Sequence, residues 1–484
     1  MKKLFLSLTA ILLSLTLAAC SAAENSLSGG AADGEAKGGD MPSSAYTVAA
    51  GGTHPEADAA DGGVGADDAD YGAAGEPEYG VFDKAYDDAA ELAAGGVFDG
   101  FISPGEYGEN RIPAAAGTLT AGEWIDNDHL TFWNSLHQIE DTGWSEYSTL
   151  WSRAYTVRTF VTVTFDGKPV ENAAVTVTGA DSILWTAKTD NEGKAYLFYS
   201  PSELNGDLIV TADYGNYSAK TTITSDNYTA ASIELTADSE IDIQHAKSLD
   251  LMLVVDTTGS MHDELFYLQA ELESVINRAA SDNGNIPVRL SVNFYRDDGD
   301  EYVVRDFAFT ENISQAIADL KAQDADGGGD MPEKVNAALD NAINSHDWSE
   351  NSTKLLFIIL DAPPHSDDAN AVTAMNDLTA QAAEKGIRII PILASGGDKE
   401  AEYLMRDVAM KTGGTYLFLT DDSGISVGGH IQPTVGDYEV EKLNDLMVKV
   451  INRYLADNNA PAEYTDGPVE LSEEPDPDIT QYEQ

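Results

Sequence analysis

The sequence predicts a multidomain protein in which an all-β sandwich precedes a doubly wound α/β domain, behind a long disordered N-terminal linker. Three observations support this. The chain has 484 residues, which is too long for one core. Apolar and polar residues alternate over residues 153–240, as in half-buried strands. Over residues 248–455, wholly apolar stretches alternate with amphipathic ones, which is typical of a buried parallel sheet with crossover helices.

The overall charge restricts the partners. Lys and Arg number 27 against 83 Asp and Glu, which gives a formal net charge of −56. A chain this acidic repels phosphate backbones, so nucleic acid and anionic membrane surfaces are excluded as main partners, and a cation is the natural counterpart. The single cysteine, Cys20, excludes an internal disulfide and any cysteine-based zinc site or thiol catalyst in the body of the protein.

Residues 1–19 have the pattern of a signal peptide. Two lysines precede an apolar run that is too short to span a bilayer, and the run ends in Leu-Ala-Ala-Cys at Cys20. This ending resembles the lipobox of bacterial lipoproteins. The resemblance implies lipidation of Cys20 and attachment of the mature protein to a cell membrane on its extracytoplasmic face. A plain secretory signal with an incidental cysteine is the alternative.

Residues 20–117 are predicted to be a disordered acidic linker. The segment consists largely of Ala, Gly, Asp and Glu, and shows neither the strand nor the helix periodicity. Calcium binding by its acidic runs is the alternative, but no EF-hand pattern is present.

Four of the six tryptophans lie within residues 118–152. The spacing of Leu130, Trp133 and Leu136 indicates one apolar face of a helix. We therefore predict a Trp-rich helical cap packed against the domain that follows, with an aromatic sugar-binding platform as the alternative.

Residues 153–240 contain about seven short alternating segments separated by turn residues. Their phrases GKPVENAAVTV and TAKTDNEGKAYL resemble carboxypeptidase-regulatory-like and Cna-B-like sandwich modules of bacterial surface proteins. Some Cna-B-like relatives contain a Lys-to-Asn isopeptide bond. The opening strand, residues 155–165, has no lysine, so this cross-link is not predicted.

Residues 248–455 are predicted to form a sheet of about six strands. Apolar strands end at Val255, Leu360 and Leu393. Amphipathic helices are predicted at 264–280, 332–343, 369–385, 400–412 and 440–455. Sheets of this kind bind ligands at the carboxyl ends of their strands, so the chemistry should lie there.

The motif DTTGSM follows the first of these strands and places Asp256, Thr258 and Ser260 at alternate positions. One carboxylate and two hydroxyls at one turn suit a hard divalent cation, with Mg²⁺ first and Ca²⁺ or Mn²⁺ next. A plain helix N-cap is the alternative, because Asp, Ser and Thr are preferred there without any metal.

Two further motifs, GGGDMPE and DAPPH, contribute Asp330 and Asp361. Together with DTTGSM they resemble a von Willebrand factor A domain, a Rossmann-like fold, and are most similar to the A domains found beside alpha-kinase modules and in hemicentin-like proteins. The resemblance implies a metal-ion-dependent adhesion site formed by Asp256, Thr258, Ser260, Asp330 and Asp361. Asp330 alternatively caps the following helix.

Two features flank these motifs. The acidic run at Asp297, Asp298 and Asp300 is expected to be a solvated turn, with a second acidic cluster as the alternative. His365 is expected to pack against the adjacent prolines, with contact to a metal-bound ligand as the alternative. Residues 456–484 are predicted to be a disordered acidic tail.

These patterns favour a cell-envelope lipoprotein, not an enzyme, that binds a protein or other acidic ligand through a divalent cation. The expected partner is an extracellular or envelope protein that offers a carboxylate. One alternative is an envelope scaffold or assembly component with a structural metal only. A metal-dependent hydrolase is less favoured, because no HExxH motif, paired-carboxylate pattern or Ser-His-Asp order is evident, and no catalytic residue is assigned.

Overall fold

The computed structural model describes residues 114–153, 157–180, 182–236, 246, 248–282, 286–329, 331–421, 430–457, 460–466 and 469. The predicted signal peptide, Cys20, residues 20–113 of the linker and Asp330 lie outside these residues. Within the described segments, no helix is both long enough and apolar enough to cross a membrane.

The described strands are β1 (Thr120–Trp124), β2 (Val157–Phe165), β3 (Lys168–Pro169), β4 (Ala174–Thr178), β5 (Ile183–Lys188), β6 (Lys194–Tyr199), β7 (Leu208–Tyr214), β8 (Tyr217–Ile223), β9 (Ala230–Leu235), β10 (Leu249–Asp256), β11 (Val288–Tyr295), β12 (Val304–Arg305), β13 (Thr353–Leu360), β14 (Ile387–Leu393), β15 (Tyr416–Thr420) and β16 (Glu441–Lys442). The α-helices are α1 (Leu130–Leu136), α2 (Trp144–Leu150), α3 (His262–Asp282), α4 (Ile313–Lys321), α5 (Val335–Asn344), α6 (Ala369–Lys385), α7 (Lys399–Thr412) and α8 (Leu443–Leu455). Short 3₁₀ turns cover Asp126–Asp128, Glu140–Thr142, Pro201–Asn205 and Gly259–Met261.

The larger sheet has the order β12-β11-β10-β13-β14-β15-β1-β16. Strands β11, β10, β13, β14 and β15 run parallel to one another. At one edge β12 pairs antiparallel to β11. At the other edge β1 pairs antiparallel to β15, and β16 pairs antiparallel to β1. Alternate residues of β10 face two separate apolar cores, with Leu253 on one side and Val254 on the other. Helices α5, α6 and α7 cover the face of Val254, and α3, α4 and α8 cover the face of Leu253. The arrangement is that of a doubly wound α/β fold, as predicted.

The Trp-rich segment differs from its prediction. Strand β1 inserts beside β15 in the larger sheet, so this segment is part of the α/β domain. Trp133 stacks on Tyr403 of α7 at a ring distance of 5.5 Å, and the Trp144 ring lies 5.6 Å from the same ring. The four tryptophans of this segment are at most 5% exposed, so they offer no open platform to a sugar. Trp133 and Trp144 pack on helix α7, where the Tyr403 ring and the guanidinium of Arg406 lie against their rings.

Strands β2 to β9 form two four-stranded sheets. One has the order β3-β2-β6, with β9 paired to β2, and the other has the order β5-β4-β7-β8. Val161 and Leu197 of the first sheet share one apolar core with Val175 and Val210 of the second. The two-residue strand β3 is the element beyond the seven predicted. The likeness to carboxypeptidase-regulatory-like and Cna-B-like modules stays a prediction.

The C-terminal segment is partly ordered, in contrast to the predicted tail. Asp466 accepts hydrogen bonds from the backbone N–H and the hydroxyl of Thr131, at 2.9 and 2.8 Å. The ring of Tyr464 lies 5.8 Å from that of Phe160, with the guanidinium of Arg158 over it. Acidic composition alone suggested disorder, but these aromatic and polar contacts hold residues 460–466 against the body of the protein.

Candidate functional site

The predicted site lies at the carboxyl edge of the larger sheet. Asp256 is the last residue of β10, and Asp361 immediately follows β13. Because β10 and β13 are parallel neighbours, their carboxyl ends meet at one edge and bring the two carboxylates together. Asp256 is completely buried and Asp361 is 3% exposed.

The first loop folds back on the carboxylate that precedes it. Oδ1 of Asp256 accepts the backbone N–H of Thr258 at 2.8 Å and its hydroxyl at 2.7 Å. The Thr258 hydroxyl lies 3.2 Å from that of Ser260, which in turn hydrogen-bonds to Asp361. The structure therefore brings together four of the five predicted residues, and the fifth, Asp330, lies outside the described residues.

A glycine-rich loop borders this site. The N–H of Gly259 donates to the carbonyl of Gly327 at 3.1 Å, and a Cβ on Gly259 would lie only 3.0 Å from that oxygen. Gly327 has a φ of +81°, in the left-handed region that favours glycine. Close packing of the two loops thus requires glycines at these positions.

The electrostatics of the carboxylate pair are unfavourable. Burial and the nearby Asp361 raise the pKa of Asp256 from 3.8 to about 7, and burial also raises the pKa of Asp361. Oδ2 of Asp256 and Oδ1 of Asp361 are buried without a well-formed hydrogen bond among the described residues, although the buried Tyr295 hydroxyl lies near Asp256 and lowers its pKa. Buried oxygens of this kind are costly unless something else satisfies them.

Glu333 is a site residue that the sequence reasoning missed. It is 3% exposed, and its Oε2 also has no hydrogen-bond partner within the described part of the chain. Burial and the charges of Asp256 and Asp297 raise its pKa to about 9. Its backbone bridges to Pro364, next to the Asp361 loop, which explains its position. The signal was available in GGGDMPE, where it stands three residues after Asp330.

The flanking acidic run is a solvated turn only in part, because Asp298 is exposed whereas Asp297 is buried. Asp297 is 7% exposed and its Oδ1 lies 2.9 Å from Nε2 of His365. Asp300 accepts the backbone N–H groups of Asp297 and Gly328 at 3.0 and 2.9 Å. His365 therefore contacts the carboxylate of Asp297 as well as lying beside the proline turn. The hydrogen bond from Gly328 to Asp300 stabilises the glycine-rich loop.

The donor set fits a hard cation. It combines two buried carboxylates that have unpartnered oxygens with two hydroxyls, all oxygen ligands of the type that Mg²⁺ and Ca²⁺ prefer. Across the described segments, no three or more His, Cys, Asp or Glu side chains are grouped so as to hold a metal by themselves. Hydroxyls would therefore have to complete the coordination.

Residues 250–427 match the family model of the von Willebrand factor A domain. The match spans strands β10 to β15 and includes both loops and Asp361. This segment is a von Willebrand factor A domain.

Two curated relatives share parts of the A domain. The "Putative ariadne-like RING finger protein R811" of Acanthamoeba polyphaga mimivirus is 32% identical over 117 residues, which are 24% of this chain and 11% of that protein. The "Alpha-protein kinase vwkA" of Dictyostelium discoideum is 24% identical over 180 residues, 37% of this chain and 28% of that protein. The chain thus spans about a tenth and about a quarter of these relatives.

Two solved structures are also similar. One is the conserved hypothetical protein BatB of Bacteroides thetaiotaomicron, with 13% identity and a TM-score of 0.31, covering 43% of this chain and 98% of that one. The other is an aerotolerance-related membrane protein of Bacteroides fragilis, with 16% identity and a TM-score of 0.28 over the same shares.

Proposed function

We propose that this protein binds a carboxylate-bearing protein ligand through a divalent cation held in its A domain. A domains generally mediate protein–protein interactions. The observation that carries the proposal is the pair of unpartnered buried carboxylate oxygens on Asp256 and Asp361, beside two hydroxyls. Such a pair is unfavourable in isolation and becomes favourable when a cation neutralises it.

Asp256, Thr258, Ser260 and Asp361 would hold the ion, with Mg²⁺ favoured and Ca²⁺ or Mn²⁺ as alternatives. Asp330, adjacent in sequence to the described glycine-rich loop, is a proposed fifth ligand. The ion supplies a positive charge that a carboxylate of the ligand can approach, although the chain itself has a net charge of −56. Glu333 is protonated at neutral pH in the metal-free protein, because its pKa is raised to about 9, and a bound cation would favour its ionised form.

We also propose that the protein is displayed on the outer face of a cell membrane, attached through lipidated Cys20. The support is the lipobox-like ending of the signal peptide in the sequence.

The decisive experiment is calorimetric titration of Mg²⁺, Mn²⁺ and Ca²⁺ into the metal-stripped protein that begins at residue 21. We expect saturable binding to the wild type and none to Asp256→Ala. Asp298→Ala is the matched control, because the carboxylate of Asp298 is 68% exposed and paired with Lys334 at 2.7 Å. This variant should bind like the wild type.

Absence of binding to a folded wild-type protein would refute the cation-dependent proposal. Ligand capture should then be compared with Mg²⁺ and with EDTA. Capture that persists in EDTA would indicate that the ion has only a structural role, as in the scaffold alternative.

A further inference from the structure

A small cavity lies where the β-sandwich packs on the A domain, at the opposite edge of the larger sheet from the cation site. Its walls come from β5 and β6 of the sandwich and from the ends of α6 and α7 and the start of β14 in the A domain. Four lining residues are basic, namely Lys188, Lys194, Arg388 and Lys411, and one, Asp190, is acidic. Since only 27 of the 484 residues are Lys or Arg, this lining concentrates a scarce charge.

Two of these basic side chains have no carboxylate partner. Lys188 is half-buried, and no residue in the described part of the chain forms a hydrogen bond or an ion pair with its ammonium group. Arg388 is 7% exposed. Its guanidinium donates to the carbonyl of Gly386 at 3.2 Å and lies 5.4 Å from the ring centroid of Tyr454. Neither contact neutralises its charge.

The other two basic side chains are paired, but one of the pairs is shared. The ammonium of Lys194 lies 2.7 Å from the carboxylate of Glu192, so this charge is balanced. Lys411 lies 3.0 Å from Asp407, which also pairs with the buried Arg153. One carboxylate therefore serves two cations, and this leaves a third positive charge at the cavity without a full partner.

Two helix ends offset part of this charge. Helices α6 and α7 both end at the cavity, with Gly386 and Gly413 as their C-terminal caps. A Cβ on Gly386 would lie 3.1 Å from Cβ of Lys188, so the lysine lies against this helix end. Each helix end carries about half a negative charge. Together they balance about one of the three positive charges.

Lys354 provides an independent sign of the excess. It lies in β13 and is 3% exposed, and its Nζ reaches the carbonyls of Glu350 and Ser352 at 3.3 and 3.4 Å. Burial lowers its pKa to about 8, and the charges of Lys188 and Arg388 add to this effect. Positive charges that are neutralised locally would not act on a neighbouring lysine in this way.

We propose that one chloride ion binds in this cavity, between Lys188 and Arg388, and stabilises the packing of the sandwich on the A domain. The cavity has a volume of about 10 Å³, which is enough for one water-sized particle. Chloride is only slightly larger than water, whereas sulfate and phosphate are much larger. A water molecule would fill the space but would leave the two positive charges uncompensated, and an anion neutralises one of them.

The test is chloride binding by the metal-stripped protein that begins at residue 21, kept in EDTA. Sodium chloride replaces sodium gluconate at constant ionic strength, and broadening of the chloride NMR signal and thermal unfolding are followed together. We expect saturable broadening and a parallel rise in Tm. Lys188→Met should weaken chloride binding about tenfold, because loss of a contact to a charged group costs about one power of ten in affinity. Arg388→Met should abolish it.

Lys220→Met is the matched control. Lys220 is exposed on β8 of the same sandwich, so this variant changes the net charge equally but leaves the cavity intact. It should bind chloride like the wild type. Since Lys188 is half-buried and unpaired, Lys188→Met should fold, and Mg²⁺ titration reports separately on the cation site. Absence of saturable broadening by the folded wild type, or equal affinities in Lys188→Met and Lys220→Met, would overturn the proposal.

Discussion

The A domain contains two buried clusters of charge that differ in how they are neutralised. In the first, Arg406 of α7 is completely buried and donates to both oxygens of Asp126, at 3.0 and 2.7 Å, and to Glu402 at 3.2 Å. In the second, Asp256 and Asp361 lie together at the sheet edge with no cationic side chain bonded to them in the described segments. One cluster is complete within the chain and the other is not.

This difference indicates that the Arg406 cluster has a structural role and that the Asp256–Asp361 pair has a functional one. The Arg406 cluster ties the Trp-rich segment, through Asp126, to helix α7, so its charges serve the fold. Asp256 and Asp361 make no comparable contact between elements of the fold. Burial raises the pKa values of both carboxyl groups instead. Perturbed carboxylates at the ligand-binding edge of a sheet are typical of a functional site.

The largest effect is expected from breaking the complete cluster. Arg406→Met leaves Asp126 and Glu402 buried without their partner, and breaking a buried pair in this way costs about 3 to 5 kcal/mol. Denaturant unfolding should show this loss. The matched control is Arg278→Met, because Arg278 pairs with Asp445 at the surface and such pairs contribute at most about 1 kcal/mol. Equal losses in the two variants would show that the Arg406 cluster is not structural.

A smaller effect on stability is expected from a change of pH, and it comes from the incomplete cluster. The folded pKa of Asp256 is about 7 against 3.8 for an ordinary aspartate, so the folded state holds the proton more tightly than the unfolded state. Its contribution to stability is therefore complete below pH 3.8 and is lost as pH rises through about 7. The ionisation of Asp256 alone should cost the metal-free protein about 2 kcal/mol of stability between pH 5 and pH 8.

The control for this pH profile is Asp256→Asn, which keeps almost the whole acidic charge but cannot titrate at this position. Thermal unfolding in EDTA should give a flatter profile for the variant than for the wild type. The depressed pKa values of Asp250 and Asp407 act only below pH 3.8, whereas the raised pKa of Glu333, about 9, overlaps this window and is common to both proteins. Parallel profiles would show that general charge repulsion, and not Asp256, sets the dependence.

Removing one charge of the incomplete cluster should stabilise the metal-free protein. Asp361→Asn relieves the repulsion with Asp256, and we expect a gain of about 1 kcal/mol at pH 8, together with loss of Mg²⁺ binding. Asp298→Asn should change stability by less than about 0.5 kcal/mol, because Asp298 is largely exposed. A destabilised Asp361→Asn would mean that this carboxylate has a structural partner.

The site could be predicted from sequence only where it depends on strand ends. Asp256 ends the largely apolar strand β10 and Asp361 follows the apolar strand β13, so the parallel pairing of these two strands places both residues at one edge. Glu333 was missed because its place depends on a bridge to Pro364, which no local pattern encodes. Strand β1 was missed for the same reason. Its five residues have no clear alternation, and they pair with β15 about three hundred residues later in the chain.

Another buried carboxylate extends the comparison, because backbone N–H groups and not a cation satisfy it. Glu271 of α3 is completely buried and accepts the N–H groups of Gly117, Thr118 and Leu119, at 2.7, 2.7 and 3.0 Å. These residues lead directly into β1. Glu271→Gln retains one acceptor oxygen but loses the charge, so we expect about 1.4 kcal/mol less local stability, or about tenfold less hydrogen-exchange protection in β1.

Glu273→Gln is the control for Glu271→Gln, since Glu273 lies on the same helix but pairs with Lys321 at the surface. It should leave exchange in β1 unchanged. Equal protection in both variants would mean that pairing with β15 alone holds β1 in place. A selective loss in Glu271→Gln would show that a buried carboxylate needs no cation when the backbone supplies enough donors. Asp256 Oδ2 and Asp361 Oδ1 lack such donors among the described residues, and this lack is what distinguishes the site at the sheet edge.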